Sequence, residues 1–125
     1  MSSSPLIAIV DDDEGVRTAT DGLIRSLGYA ARTYASAEEF LDASGEEPAC
    51  LITDVQMPGM SGVDLQQSLL RSGRRLPIIF VTAFPSEMVR RKALAAGACD
   101  FLLKPYDGEA FIRSLESALG HQRAA

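Results

Sequence analysis

The sequence contains only two cysteine residues, Cys50 and Cys99, which are far apart and lack the spacing of a metal site. Both occur among apolar residues, and free cysteine in such surroundings is commonly buried. We therefore predict two reduced, buried cysteines rather than a disulfide or a redox pair. At 125 residues the chain can bury a hydrophobic core without disulfides or structural metal ions. We therefore predict a single domain over residues 1–125, with a core at about 6–119 and disordered ends.

Long apolar runs and clustered basic residues are also missing. No segment is apolar for long enough to cross a bilayer, and residues 1–5 lack the charged and hydrophobic regions of a signal peptide. The net charge is −5, and the short basic runs at residues 74–75 and 90–92 fit solvated surfaces. This balance argues against direct binding of nucleic acid. We expect a soluble cytoplasmic protein that makes no membrane contact.

Five short segments that favour strands are each followed by a segment that predicts a helix. Residues 6–10, 50–53, 77–82 and 101–103 are apolar runs, and residues 29–34 mix β-favouring and small residues. Gly28 is placed to end the first helix, Ser36 and Glu39 match a capping box for the second, and Ser86 is placed to begin the fourth. This alternation predicts right-handed βαβ crossovers and a three-layer α/β domain with a parallel sheet.

Three aspartates, Asp11, Asp12 and Asp13, directly follow the first apolar run. Adjacent carboxylates repel one another unless a cation shares them, and ligands of open α/β sheets bind at the carboxyl ends of the strands. A site for a hard metal ion is therefore one explanation of the cluster. The other is a polar turn in which one aspartate caps the next helix. The cluster alone favours neither.

Other strands end in polar residues as well: Asp54 follows the third, Thr82 ends the fourth and Lys104 follows the fifth. These ends should meet at one edge of a parallel sheet. Carboxylates there suit Mg²⁺, one carboxylate can attack a phosphoryl group, and the lysine and hydroxyl can bind phosphoryl oxygens. Each residue alone could be a cap, a strand residue or a surface lysine, but together they favour a metal-assisted phosphoryl acceptor.

From about Leu6 to about Leu119 the chain resembles the receiver domains of two-component response regulators. The matching segments are residues 10–12 (VDD), 51–62 (LITDVQMPGMSG), 81–83 (VTA), 97–98 (GA) and 101–106 (FLLKPY). The sequence is similar to the receivers related to nitrogen-fixation regulators in particular. The resemblance implies a doubly wound, flavodoxin-like fold with strand order 2-1-3-4-5.

The resemblance also implies how the site works. Asp54 would accept a phosphoryl group from the phosphohistidine of a histidine kinase or from a phosphotransfer protein. Mg²⁺, for which Mn²⁺ could substitute, would be held by Asp11, Asp12, Asp54 and the backbone carbonyl of Gln56. The chain would then be a signalling switch that catalyses its own phosphorylation and slow dephosphorylation, and not an enzyme acting on a separate substrate.

Switching would depend on a second group of residues. Thr82 would bind the phosphoryl group and move together with Phe101, while Lys104 would pair with the phosphoryl group and form a cis peptide bond to Pro105. Because Phe101 has no hydroxyl, packing would have to carry the coupling. The movement would change the surface formed by the fourth helix, fifth strand and fifth helix. This surface would bind a downstream protein, a fused effector or a second phosphorylated copy.

Gln56 and Phe84 each lie two residues beyond a site residue, around the path that the resemblance implies for attacking water. We predict that Phe84 shields the acyl phosphate, whereas Gln56 orienting water would oppose that effect. Asp13 is predicted to begin the first helix rather than bind metal. The single histidine, His121, falls in a predicted solvated tail at residues 120–125. We expect the chain to be either a stand-alone receiver or a piece of a longer protein.

Three other classes are less consistent with the sequence. A phosphatase of the haloacid-dehalogenase type needs a second aspartate two residues after the nucleophile, where this chain has Gln56. A dinucleotide or flavin module would have a glycine-rich first loop, not three anions. A receiver-like module that is never phosphorylated would not need the complete set of site residues, and treatment with acetyl phosphate and Mg²⁺ distinguishes it.

Overall fold

Strands and helices alternate along the computed structural model, which describes residues 4–84 and 86–123. The strands are β1 (Leu6–Val10), β2 (Ala30–Tyr34), β3 (Cys50–Asp54), β4 (Ile78–Thr82) and β5 (Asp100–Leu103). The helices are α1 (Glu14–Ser26), α2 (Ala37–Asp42), α3 (Gly62–Arg71), α4 (Glu87–Ala95) and α5 (Gly108–Arg123). Within the described residues, no helix is both long and apolar enough to span a membrane.

The strands form one parallel sheet in the order β2-β1-β3-β4-β5. Register places Ile9 of β1 between Thr33 of β2 and Ile52 of β3. The order reverses direction between β1 and β3, which makes the fold doubly wound and opens a crevice at the carboxyl ends of these two strands. The predicted fold class and strand order are confirmed.

Alternate side chains of each strand enter separate cores on the two faces of the sheet. Ile7 and Ile9 face a core completed by α1 and α5, whereas Ala8 and Val10 face a core completed by α2, α3 and α4. All residues of the interior strand β1 are buried, as expected for a parallel strand covered on both faces. The two cores and the sheet between them make three layers.

Helix starts are fixed by side chains that accept backbone hydrogen bonds. Ser36 and Ser86 cap α2 and α4 as predicted. The predicted capping box at α2 is incomplete, because the Glu39 carboxylate accepts from the amide of Ala35 rather than that of Ser36. A complete box occurs instead at α3, between Ser61 and Asp64.

Two predictions about individual residues were wrong. Cys50 is buried on the central strand β3, but Cys99 is exposed, because it lies in the turn before the edge strand β5 and not inside the sheet. Helix α5 continues to Arg123, so that His121 lies on its last turn and not in a tail from residue 120. Gly120 lacks the positive φ that Gly28 adopts after α1, and a glycine without it can continue a helix.

Candidate functional site

The polar residues predicted to converge do lie together at the carboxyl edge of the sheet. Asp54 is the last residue of β3 and Thr82 the last of β4, while Asp11 directly follows β1 and Lys104 directly follows β5. Because the strands are parallel, their carboxyl ends lie at the same edge of the sheet, and so do these four residues. Asp11 and Thr82 are buried, and Asp54 and Lys104 are half-buried.

Three carboxylates form a cluster at this edge. Asp11, Asp12 and Asp54 each offer one carboxylate oxygen, and these oxygens lie within 4.8 Å of one another. Hard oxygen donors at this spacing suit Mg²⁺, which commonly takes one or two carboxylates and keeps several waters. Asp12 is exposed and leaves one side of the cluster open to water. The donor set therefore fits the divalent cation that the sequence predicts.

Asp13 is not part of the cluster. Its carboxylate accepts from the amide of Val16 at 3.0 Å and caps α1, while its own amide donates to Asp11 Oδ1 at 2.9 Å. The two explanations of the acidic triplet thus apply to different residues, since one aspartate caps the helix and the other two join the carboxylate cluster.

Lys104 is the cation in contact with this cluster. Its Nζ lies 3.0 Å from Asp54 Oδ2 and 3.1 Å from Asp11 Oδ2. Burial opposes the charged form of this lysine, but the hydrogen bonds to Asp54 and Asp11 outweigh it and raise the pKa of Lys104 above its ordinary value of 10.5. Lys104 is therefore positively charged at neutral pH, between two carboxylates. The peptide bond from Lys104 to Pro105 is cis.

The Thr82 hydroxyl and the Phe101 ring, which are the predicted switch groups, make no described hydrogen bond to the carboxylate cluster or to the Lys104 ammonium. The backbone oxygen of Thr82 accepts from the backbone amide of Lys104 at 2.7 Å. The Thr82 hydroxyl oxygen accepts from the amide of Phe84 at 3.1 Å. Phe101 is buried, and its ring centroid lies 6.1 Å from that of Phe80. Thr82 pairs in register with Leu103, and Phe101 with Phe80, so both switch residues belong to the same strand pair.

Gln56 and Phe84 lie in the loops that follow β3 and β4. The backbone amide of Gln56 donates to Asp54 Oδ1 at 3.2 Å. Both oxygens of Asp54 are therefore held, one by this amide and the other by Lys104. The Phe84 ring is 60% exposed beyond β4.

Sequence reasoning missed two residues that shape the site. Arg17, on α1, donates from Nη1 to the backbone carbonyl of Asp11 at 2.8 Å and holds the end of β1. Gly62 begins α3 so close to β3 that an added Cβ would lie 2.1 Å from the backbone oxygen of Asp54. The first contact left no signal in the sequence, whereas the glycine lies inside the 51–62 segment that carried the resemblance.

The family model described as "Response regulator receiver domain" matches residues 7–116. The chain belongs to this family. Its members are phosphoacceptor signalling domains of two-component systems, and this assignment separates the chain from the phosphatase and dinucleotide-binding classes.

Individual receiver proteins are similar over almost the whole chain. Response regulator protein TmoT of Ectopseudomonas mendocina is 41% identical over 115 residues, which are 91% of this chain and 52% of TmoT. Transcriptional regulatory protein FixJ of Azorhizobium caulinodans is 36% identical over 121 residues, 96% of this chain and 57% of FixJ. This match to FixJ confirms the predicted similarity to receivers related to nitrogen-fixation regulators. The chain spans about half the length of these curated relatives.

A solved structure supports the same assignment. The crystal structure of a response regulator receiver protein from Burkholderia phymatum is 45% identical to this receiver domain, with a TM-score of 0.81. The similarity covers 94% of this chain and 96% of the other.

Proposed function

We propose that Asp54 is the phosphoacceptor, and that a histidine kinase or a phosphotransfer protein supplies the phosphoryl group. One Asp54 oxygen would form the new bond to phosphorus as the bond from phosphorus to the histidine nitrogen breaks, and the imidazole would keep that electron pair. The observation that carries this proposal is the contact of one lysine with both Asp54 and Asp11 at the open carboxylate cluster.

Asp11, Asp12, Asp54 and the backbone carbonyl of Gln56 are the groups that would hold Mg²⁺ or Mn²⁺. When bound, the cation supplies positive charge that offsets repulsion between the carboxylates and the incoming phosphoryl oxygens. The close spacing of the three carboxylates supports this part of the proposal.

Lys104 and Thr82 would act on the phosphoryl group itself. The ammonium of Lys104 already contacts Asp54, so it is placed to bind an oxygen of a phosphoryl group attached there. Thr82 would give up the hydrogen bond that it accepts from Phe84 and donate its own hydroxyl proton to a phosphoryl oxygen. The buried Phe101 would follow by repacking.

The output surface would be formed by α4, β5 and α5. Met88 on α4 and Leu103 on β5 are large apolar side chains that are exposed there, and exposed apolar groups of this size favour contact with a partner. The occupant would be a downstream protein, an effector joined to the chain or a second phosphorylated copy. The length of the relatives supports a joined effector.

The decisive experiment uses acetyl phosphate with Mg²⁺ and intact-protein mass spectrometry. We expect the protein to gain one phosphoryl group, and Asp54→Ala to gain none. Asp13→Asn is the matched control, because it changes an aspartate outside the cluster to a residue that also caps helices. Equal modification of Asp54→Ala, or none of the unaltered protein, would contradict the proposal and favour another acceptor or an inert receiver. Candidate histidine kinases can then be compared by the same gain in mass.

A further inference from the structure

One carboxylate on α2 holds the loop between β3 and α3. This β3–α3 loop, residues 56–61, carries the Gln56 carbonyl that is proposed to bind the cation. Glu38, on α2, accepts at Oε2 from the backbone amide of Met60 at 3.1 Å. Within the described part of the chain, no other hydrogen bond joins this loop to an element outside β3 and α3. Glu38 thus reaches the loop from a separate element.

The Glu38 carboxylate also lies directly against Gly59. Gly59 has a φ of 76°, in the left-handed region that glycine adopts readily. A Cβ added at Gly59 would lie only 2.8 Å from Glu38 Oε2. The missing side chain therefore gives the carboxylate room to reach the amide of the next residue, and the glycine and the glutamate fit together at this turn.

Other contacts hold the ends of the β3–α3 loop. The backbone amide of Gln56 donates to Asp54 Oδ1, and that of Gly62 donates to the backbone oxygen of Val55 at 2.9 Å. Met57 packs against the core beneath the loop. Gln56 itself is exposed, so the direction of its carbonyl depends on the path of the backbone between the held ends. The contact of Glu38 falls within that path.

We propose that Glu38 is a positioning residue for the cation. By holding the amide of Met60, it would keep the β3–α3 loop in the conformation in which the Gln56 carbonyl is available as a ligand. Without this contact the loop would adopt that conformation for only a fraction of the time, and the apparent affinity for Mg²⁺ would fall by the same fraction. The inference rests on the cation site of the proposed function.

Isothermal titration calorimetry with Mg²⁺ tests the inference without phosphorylation. We expect Glu38→Ala to bind Mg²⁺ about threefold more weakly than the unaltered protein, since a single hydrogen bond contributes a modest net free energy. Glu39→Ala is the matched control and should bind normally. Glu39 is also exposed in the first turn of α2 and carries the same charge, but its carboxylate accepts from Ala35 and not from the loop.

Glu38→Gln separates position from charge. Glutamine has the same length and keeps a side-chain oxygen that can accept from Met60. We therefore expect this variant to bind Mg²⁺ nearly as tightly as the unaltered protein. Binding as weak as that of Glu38→Ala would show that the carboxylate acts by attracting the cation, and this result would overturn the positioning role.

Gly59→Ala should reproduce the loss of affinity, because its new Cβ displaces the Glu38 carboxylate. Gly73→Ala is its control, since Gly73 has the same φ of 76° and its added Cβ would meet nothing within 4 Å. When Glu38 is already alanine, Gly59→Ala should weaken binding much less, because the contact is then absent. An equal effect of Gly59→Ala with and without Glu38 would contradict the proposed pairing.

The results for Glu38→Ala distinguish this inference from the function on which it rests. The Mg²⁺ concentration that gives half the maximal rate of phosphorylation by acetyl phosphate should rise about threefold with the loss of affinity. Equal Mg²⁺ affinity of Glu38→Ala and Glu39→Ala would overturn the positioning role and leave the cation site intact. No binding of Mg²⁺ by the unaltered protein would overturn the cation site itself, and the positioning role with it.

Discussion

Lys104 and Asp54 are 50 positions apart in the chain, and Lys104 Nζ lies 3.0 Å from Asp54 Oδ2. The same nitrogen contacts Asp11, so one cation connects the ends of β1, β3 and β5. Removing it leaves a group of carboxylates without a positive partner. This contact therefore links the stability of the fold to the chemistry proposed for the site.

Lys104→Met should destabilise the protein by about 2 kcal/mol in the presence of EDTA. The cost is smaller than for a fully buried pair, because the Lys104 side chain keeps 18% exposure. Added Mg²⁺ should stabilise this variant more than the unaltered protein, since a cation then replaces the lost charge. Urea unfolding with and without Mg²⁺ measures both effects. Lys92→Met is the control, because Lys92 is exposed on α4 and pairs with no described carboxylate, and equal stability of the two variants would contradict the prediction.

The contribution of Lys104 should also disappear at alkaline pH. Because its pKa in the folded protein is raised above 10.5, the charged form is favoured by folding. The resulting stability is fully present below pH 10.5 and is lost as the pH rises through the raised pKa. We expect the difference in unfolding free energy between the unaltered protein and Lys104→Met to be constant up to that pH and then to shrink. A difference that already falls near neutral pH would assign it to another group.

Gly62→Ala should damage the fold and the site together. The new Cβ would lie 2.1 Å from the backbone oxygen of Asp54, a contact that only a shift of β3 or α3 can relieve. We expect a loss of about 3 kcal/mol and slower phosphorylation by acetyl phosphate. Gly22→Ala is the matched control, since its Cβ meets nothing within 4 Å and should stabilise α1 by about 0.5–1 kcal/mol. Thermal unfolding compares the two, and a Gly62→Ala variant as stable as Gly22→Ala would exclude the clash.

The position of the site could be predicted from sequence because it depends on strand ends. A buried parallel strand is a continuous apolar run, and the first polar residue after it must lie at the carboxyl edge. Asp11, Asp54 and Lys104 all follow this rule, so their convergence needed only the correct assignment of strands. The role of Asp13 was also predictable, because an aspartate directly before a helix commonly caps it.

Other features depend on tertiary packing that local patterns do not encode. Apolar neighbours suggested that Cys99 is buried, but its exposure depends on β5 being the edge strand. The contact of Arg17 with the Asp11 carbonyl requires a particular path of its long side chain across the β1–α1 turn. The bond from the Gln66 side chain on α3 to the backbone oxygen of Ala93 on α4 depends on how closely the two helices approach. None of these has a periodic signature.

The two thiols should differ sharply in reactivity. Burial raises the pKa of Cys50 to about 12, while Cys99 is exposed with a pKa that partial burial also raises above the ordinary value. Since the thiolate is the reactive form, iodoacetamide at neutral pH should modify one thiol of the folded protein, and at a slow rate. Both should react after denaturation. Peptide mapping should assign the first site to Cys99, and Cys99→Ser should remove it; modification of Cys50 in the folded protein would contradict its burial.

Phe84→Ala should shorten the lifetime of the phosphorylated state. The backbone amide of Phe84 already contacts the Thr82 hydroxyl, and we expect the exposed Phe84 ring to exclude water from the proposed acyl phosphate. We expect dephosphorylation to become about threefold faster, which corresponds to about 0.7 kcal/mol in the barrier. Met88→Ala is the control, because Met88 is an apolar residue of the same region that is 80% exposed on α4. Loss of the phosphorylated mass with time gives the rates after acetyl phosphate is removed.

Gln56 provides the opposing test of the same idea. The backbone amide of Gln56 contacts Asp54, so the Cα from which its side chain extends lies near the proposed acceptor. If Gln56 orients the attacking water, Gln56→Ala should slow dephosphorylation, and the double variant with Phe84→Ala should show an intermediate rate, because shielding and water placement then act separately. An unchanged rate in Phe84→Ala would remove shielding as an explanation. A rate in the double variant equal to that of Phe84→Ala would show instead that Gln56 has no effect once water reaches the phosphate freely.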